Sequence, residues 1–203
     1  MAIATYSDLK AEIASWLHRT DLTSVIPDFI TLAESDFQTT LYLRKLCNAP
    51  TSFSATATFT DLPSDFRRMR SVALIANNRR YPMRQVQMDA FNTFVYNVTP
   101  GGLPHSYVIS GGKIGIAPGT SASLEIEYWP TITALDGSTH TTTTLLTNYP
   151  LLYLYRACIE GAIYLRDDSL QQRAETMYAR ALTAAMDGDK MDEYGTAPVM
   201  VVV

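Results

Sequence analysis

The sequence contains few of the features by which catalytic, secreted or membrane proteins are usually identified. It has two cysteines, Cys47 and Cys158, which stand far apart and form no C-x-x-C pair. Such cysteines predict buried free thiols and no disulfide framework. No apolar run approaches the roughly 20 residues of a membrane span, so we expect no membrane partner.

Residue patterns that carry chemistry are equally scarce. The three histidines, His18, His105 and His140, have no second ligand at helical spacing, so no metal site is predicted. The sequence has no G-x-S-x-G elbow and no cysteine with a base close by. Asp167 and Asp168 are adjacent acids, but the start of a helix explains them better than a catalytic pair. We therefore expect no enzyme activity and no cofactor.

Basic residues are in the minority. The chain has 16 lysines and arginines against 20 aspartates and glutamates, and its net charge is −4 at pH 7. A protein whose main task is to grip a phosphate backbone usually has a basic balance. The charge argues against that task, but it allows a protein that surrounds DNA.

Glycine is concentrated in the stretch YVISGGKIGIAPG, from Tyr107 to Gly119. A phosphate-binding P-loop requires G-x-x-x-x-G-K-[ST], and a dinucleotide loop requires G-x-G-x-x-G ahead of a helix. Neither pattern is present, and strand-like alternation follows the glycines. Gly111 and Gly112 therefore predict a tight hairpin turn, where glycine adopts a positive φ at no steric cost.

Apolar residues recur at helical spacing near the N-terminus. Thr5 and Asp8 form a capping-box pattern at the start of a first helix. A second helix is expected to begin near Ser24, with Pro27 and Asp28 in its first turn. Together these two helices predict an N-terminal helical hairpin.

The apolar period changes to two from about Thr51. TSFSATATFT predicts one strand, and FRRMRSVALIANNRRYPMRQV predicts a hairpin that turns at its two asparagines. A short helix is expected at MDAFNTFVY. Three more strands are expected at HSYVIS, KIGIAP and SLEIEYW.

Two helices are predicted after a threonine-rich loop, 136–148. Asn148 is expected to cap the first of them, which is apolar nearly all round and so should be packed on more than one side. Asp168 or Ser169 is expected to cap the second. The expected apolar stripe of this last helix consists of Leu170, Ala174, Met177, Ala181 and Ala184.

These elements predict an α+β fold that is mainly a helical bundle with a β-rich central insertion and an extended C-terminal tail. The predicted parts are the N-terminal helical hairpin (1–48), the β-rich insertion (49–135), the C-terminal helices that complete the bundle (136–187) and the tail (188–203).

Charges are segregated along the chain. Between Phe66 and Met88 there are six arginines and no acid, whereas eight acids and four bases lie between Glu160 and Glu193. The arginines could be a solvated strand face, or a docking surface for the acidic end of a neighbouring copy or for DNA; arginine favours fixed, hydrogen-bonded contacts. They are Arg67, Arg68, Arg70, Arg79, Arg80 and Arg84.

The C-terminus is apolar and rich in β-formers. Left exposed, such a segment is an aggregation hazard, so we expect it to add to the sheet edge or enter the groove of a partner. Folding back on its own domain is the alternative. The segment consists of Pro198, Val199, Met200, Val201, Val202 and Val203.

Five stretches in this order resemble the head–tail adaptor (connector) proteins of tailed bacteriophages. The resemblance runs from about Thr5 to Ala185. Its stretches are TYSDLKAEIASWLHRTDLTSVIPDFITLAESDF, DLPSDFRRMRSV, HSYVISGGKIGIAP, SLEIEYW and LLTNYPLLYLYRACIEGAIYLRDD.

The resemblance implies a non-enzymatic structural protein of the virion neck, assembled in the host cytoplasm. It implies a ring of copies, twelvefold like the portal protein above it, that extends the DNA channel and offers a platform to the tail. The implied partners are the portal, further copies of this chain, downstream tail or nozzle proteins, and genomic DNA that passes without sequence-specific binding. The C-terminal segment is the implied portal-docking element.

Two other functions fit the sequence less well. A tail-completion or tail-terminator protein would bind the tail tube and not the portal. A small nucleic-acid-binding protein would use the arginine-rich hairpin and bind DNA in a salt-sensitive manner.

Overall fold

A computed structural model describes residues 3–97, 102–118 and 121–194. The chain divides into two units, an α-helical unit of Met1–Leu46 and Ile132–Val203 and a β unit of Cys47–Thr131. The β unit is continuous in sequence, and the helical unit is made of the segments before and after it.

The prediction of a mainly helical bundle is wrong, because the protein is a mixed α+β chain. Helices make up 45% and strands 24%, and eight strands form two sheets within the described residues. The β-rich segment has buried clusters of its own, so it is a second folded unit and more than an appendage of the helices.

The helical unit is built around its second-last helix, α5. This helix packs against α1, α2, α4 and α6, which explains why it is apolar on several sides. Among the described residues of this unit, the α-helices are α1 (Tyr6–Trp16), α2 (Ile26–Thr40), α4 (Thr144–Asn148), α5 (Pro150–Leu165) and α6 (Asp168–Tyr194). Their largest fully buried side chains are Leu9, Ile13, Ile26, Ile30, Phe37, Leu145 and Tyr153.

The start of α1 confirms the predicted capping box. The Thr5 hydroxyl accepts from the Asp8 backbone N–H at 3.2 Å, and the Asp8 carboxylate accepts from the Thr5 N–H at 3.0 Å. The Thr5 hydroxyl also donates to the Asp8 carboxylate at 2.8 Å, and this bond, together with that from the Thr5 N–H, lowers the pKa of Asp8. Helix α2 begins at Ile26 and places Pro27 in its first turn, where a missing N–H costs nothing.

Two predicted caps are wrong. Asn148 ends the short helix α4, and its side-chain amide donates to the Thr144 carbonyl at 2.8 Å, so it does not cap α5. Asp167 caps α6, because its Oδ1 accepts from the Leu170 N–H at 3.0 Å. This bond is the main reason that the pKa of Asp167 is lowered. In both cases the helix boundary lies one to a few residues away from the predicted one.

Helix α6 continues to Tyr194, so residues 188–194 are helical where an extended tail was predicted. Gly188 and two flanking aspartates predict a helix end, but tertiary contacts outweigh this local preference. The Asp189 carboxylate accepts from the Arg44 backbone N–H at 2.6 Å, and Ala185 is buried one turn earlier. The rest of the predicted tail, with the docking segment Pro198 to Val203, lies outside the described residues.

The β unit contains two four-stranded sheets, with strand orders β1-β8-β3-β4 and β2-β7-β6-β5. All pairings are antiparallel except that of β5 with β6. Helix α3 (Met88–Asn97) lies between those two strands in sequence. The strands are β1 (Thr51–Ala55), β2 (Phe59–Asp61), β3 (Phe66–Ala76), β4 (Arg79–Pro82), β5 (Arg84–Gln85), β6 (Ser106–Ser110), β7 (Lys113–Ala117) and β8 (Ala122–Pro130).

Both predicted hairpin turns are confirmed. Gly111 and Gly112 have φ angles of 57° and 74° between the paired strands β6 and β7. Asn77 and Asn78 have φ angles of 50° and 59° between β3 and β4. Two successive positive φ angles are the requirement of a type I′ turn, which glycine and asparagine meet best.

The single strand predicted over Thr51–Thr60 is instead two strands in different sheets. β1 pairs with β8, and β2 pairs with β7. Between them the Thr60 hydroxyl accepts from the Thr56 N–H at 3.1 Å, which stabilises the turn. The uninterrupted alternation of the sequence conceals this break.

Candidate interaction surfaces

The six arginines do not form one patch. Arg67, Arg68 and Arg70 lie near the start of β3, and the turn that precedes Arg79 follows its other end. From Arg68 to Ala76 the strand rises roughly 26 Å at about 3.3 Å per residue. Arg84 belongs to β5 in the other sheet.

Two of the arginines bind acids of β8, which belongs to the same sheet and lies next to β3. Arg70 contacts Glu127 at 2.9 Å, and Ser71 donates to the same carboxylate at 3.2 Å. Arg80 contacts Glu125 at 2.6 Å. The run of arginines that has no acids near it in the sequence is therefore partly neutralised by glutamates of the same sheet.

Arg79 lies next to the turn of the β3–β4 hairpin, is exposed, and has no carboxylate partner among the described residues. Because side chains alternate along a strand, Arg79 and Tyr81 share one face of β4, and Arg80 lies on the other. Tyr81 is also exposed. β4 is an edge strand, so this face of the hairpin combines a cation and an aromatic ring at the margin of the sheet.

An apolar groove lies in the helical unit, between the end of α2, the segment after it and the last turns of α6. It has a cavity volume of about 630 Å³. Leu41 and Leu43 are buried in its floor, and Met186 is exposed at its rim. Asp36, Thr40, Tyr42, Tyr178, Leu182, Asp189 and Lys190 complete the lining.

Acidic residues outnumber basic ones along the last two turns of α6. The sequence there contains Asp187, Asp189, Asp192 and Glu193 and one base, Lys190, which contacts Asp187 at 3.9 Å. The C-terminal end of a helix is itself the negative end of its dipole, so a cation there is stabilising. The end of α6 instead has an excess of acidic residues.

In the part of the chain that the structure describes, both cysteine thiols are buried or half-buried. Burial raises the pKa of the Cys158 thiol to about 12 and also raises that of Cys47, which disfavours the nucleophilic thiolate. No three His, Cys, Asp or Glu side chains of this part converge on a shared point. None of its helices combines the length and apolar character that crossing a membrane requires.

Comparison with protein families decides the identity. The family model for the SU10 adaptor protein matches residues 4–201, which is nearly the whole chain. The chain belongs to the SU10 adaptor protein family. This confirms the resemblance to phage head–tail adaptors and makes this adaptor a structural bacteriophage protein. No significant match was found among curated protein sequences.

The groove of the helical unit was missed by sequence reasoning. The predicted stripe of α6 included Met177 and Ala184, which are exposed, and omitted Tyr178, Leu182 and Ala185, which pack on the core. Residues 174, 178, 181 and 185 do recur at helical spacing. Alanine is so frequent in α6, however, that two different apolar stripes fit the sequence equally well.

Proposed function

We propose that this adaptor forms a twelvefold ring beneath the portal, in the neck of the virion. There it extends the DNA channel and provides the attachment platform for the tail. The family match over residues 4–201 carries the proposal, since the family is one of phage adaptors. The assigned role is structural, without catalysis or a cofactor.

The charge distribution supports passage of DNA through such a ring. Each phosphate that a protein neutralises adds affinity, so a basic channel would hold the genome back. This adaptor has a net charge of −4, and Arg70 and Arg80 are engaged by acids of their own sheet. DNA therefore remains a passing partner that is not read by sequence.

The segment Pro198 to Val203 is proposed as the portal-docking element. Its support is its composition, an apolar β-forming run at the end of the chain. In a ring, every copy would present one such segment, so that many weak contacts act together.

Native mass spectrometry of this adaptor mixed with portal from the same phage tests both proposals. A chain ending at Ala197 serves as the matched variant. A twelve-copy complex formed by the full-length chain alone supports the ring and the docking segment, and equal complexes with both chains contradict the docking segment. If neither chain binds portal, a tail-terminator role replaces the adaptor role, and tail-tube protein is the next partner to mix.

A further inference from the structure

The exposed residues Arg79 and Tyr81 of the β3–β4 hairpin, which share a strand face with buried Leu74, have the composition of an interface hot spot. Tyrosine and arginine are the residues that most often dominate binding energy, and here Tyr81 and Arg79 lie two residues apart on one strand face. The type I′ turn at Asn77 and Asn78 holds them on a short, tight hairpin. Little conformational entropy is therefore lost when the hairpin is bound.

The groove of the helical unit offers chemistry that matches this face. Leu182 and Met186 would cover the ring of an inserted tyrosine, and methionine packs well on aromatic rings. Tyr42 and Tyr178 also line the groove, and tyrosine rings bind guanidinium groups well. Asp189, half-buried in the lining, has the negative charge that an arginine needs.

We propose that the Arg79–Tyr81 face of one copy docks in the α2–α6 groove of the neighbouring copy, so that hairpin and groove form the repeated contact of the assembled adaptor. This inference rests on the proposed ring, since a ring joins two different surfaces of identical subunits. Among the described residues, Arg79 on the hairpin has no carboxylate partner, and Asp189 in the groove accepts the Arg44 backbone N–H but is paired with no basic side chain, whereas Asp36 is already paired with Arg156. A contact between hairpin and groove pairs Arg79 with Asp189.

The structure distinguishes Arg79 from Arg80, although the two are neighbours in sequence. Arg80 contacts Glu125 within its own sheet on the opposite strand face. Arg79→Gln should therefore weaken association about tenfold or more, as hot-spot truncations do, while Arg80→Gln should change it little.

Two methionines of α6 provide the same kind of matched pair on the groove side. Met186 lines the groove, whereas Met191, at 67% exposure, is not part of its lining. Met186→Lys places a positive charge opposite Arg79 and should abolish association, and Met191→Lys should not. The double variant Arg79→Glu with Met186→Lys places an acid on the hairpin opposite a base in the groove and should restore it.

A photocrosslink locates the contact directly. Tyr81→benzoylphenylalanine keeps an aromatic ring at this position and captures nearby methionine and leucine side chains on irradiation. The photoactive chain is mixed with an isotope-labelled copy, with and without portal, and the adducts are mapped by mass spectrometry. Adducts between chains at Leu182 or Met186 are the expected result.

Other outcomes overturn the inference without deciding the adaptor role. If portal complexes form but the adducts lie elsewhere or are absent, the adaptor role stands and this contact is wrong. Adducts within one chain would show that the hairpin contacts its own copy. Adducts to the segment 195–203 would show that the hairpin contacts that segment and not the groove. If no portal complex forms, adducts in the portal-free sample still support the contact, and their absence there still refutes it.

Discussion

The helical unit and the β unit place their charged groups differently. In the helical unit, the charged residue Glu34 is buried, with 5% of its surface exposed, and its carboxylate accepts two hydrogen bonds. In the β unit, the pair Arg80–Glu125 lies on the sheet surface, where 54% of the Arg80 side chain is exposed, whereas Arg70–Glu127 is half-buried like the pair Arg156–Asp36 of the helical unit. Buried charges require their partners for stability, whereas surface pairs contribute little and can be exchanged for those of another molecule.

Glu34 and Gln38 show what the internal polar groups do. The Gln38 side chain makes two hydrogen bonds with the backbone of Ile132, at 2.7 and 3.1 Å. Glu34 accepts from the Leu135 N–H at 2.9 Å and from the Tyr153 hydroxyl at 3.1 Å. These bonds fasten the returning chain, 132–135, onto α2. In the helical unit, these buried polar groups therefore fix two segments that are far apart in sequence.

The two cores can be tested separately, because each unit contains one tryptophan. Trp16 lies in α1 and Trp129 in β8. Variants with Trp129→Phe or Trp16→Phe report by fluorescence on one unit at a time during denaturant unfolding. If both probes always shift together, the two units unfold as one, and the comparison between them loses its basis.

The largest effect is expected from Phe37→Ala. Phe37 is fully buried and packs edge-on against Tyr153 with ring centroids 5.2 Å apart. Its truncation should lower the free energy of unfolding by about 3–5 kcal/mol, seen at Trp16 and not at Trp129. Leu32→Ala on the same helix is the control, because Leu32 is exposed and should cost little.

The corresponding change in the β unit is Ile114→Ala. Ile114 lies on β7 and is fully buried in the hydrophobic core of the β unit. The free energy of unfolding should fall by about 2–5 kcal/mol, and Trp129 fluorescence should report this change. Ile75→Ala, at a partly exposed position of β3, serves as control. A shift of equal size at Trp16 would contradict the assignment of separate cores.

Glu34→Leu should cost about 1–3 kcal/mol, because it leaves the Leu135 N–H and the Tyr153 hydroxyl without an acceptor in the core. Glu34→Gln keeps an acceptor and should cost much less. The measurement is denaturant unfolding followed at Trp16. Equal losses in both variants would mean that these hydrogen bonds are unimportant.

Glu34 also predicts a pH dependence. Burial raises its pKa above the usual 4.5, against the smaller opposite effect of its two hydrogen bonds. The folded state therefore binds this proton more tightly than the unfolded state, and stability falls as pH rises from about 4.5 through the raised pKa. Glu34→Gln should remove this pH dependence of stability, as measured by unfolding followed at Trp16. A slope that persists in the Gln variant would have to come from another group.

The smallest effect is expected from Thr5→Ala, which removes the hydroxyl of the capping box. Loss of such a cap costs about 1 kcal/mol. Thermal unfolding followed by circular dichroism is sensitive enough to detect it. Thr31→Ala is the control, since the Thr31 hydroxyl only contacts the Pro27 carbonyl of its own helix. If stability falls as much as is expected for Phe37→Ala, Thr5 makes tertiary contacts in addition to the cap.

Most helix starts and hairpin turns of this adaptor could be predicted from sequence, because their partners lie within a few residues. The capping box, Pro27, the Asn77-Asn78 turn and the Gly111-Gly112 turn are of this kind. The candidate surfaces were only half predictable. The arginines are visible as a run, but their pairing with Glu125 and Glu127 depends on a strand some 50 residues away.

The sequence by itself therefore determined the capping box of α1, the two hairpin turns and the charge of each segment. Only the tertiary structure decided that β1 and β2 enter different sheets, that Glu34 is buried, and that α6 extends past Gly188 to Tyr194. The physical reason is the range of the interactions. Caps and turns close hydrogen bonds within a few residues, whereas strand register, burial and the anchoring of Asp189 by Arg44 require segments far apart in sequence to meet.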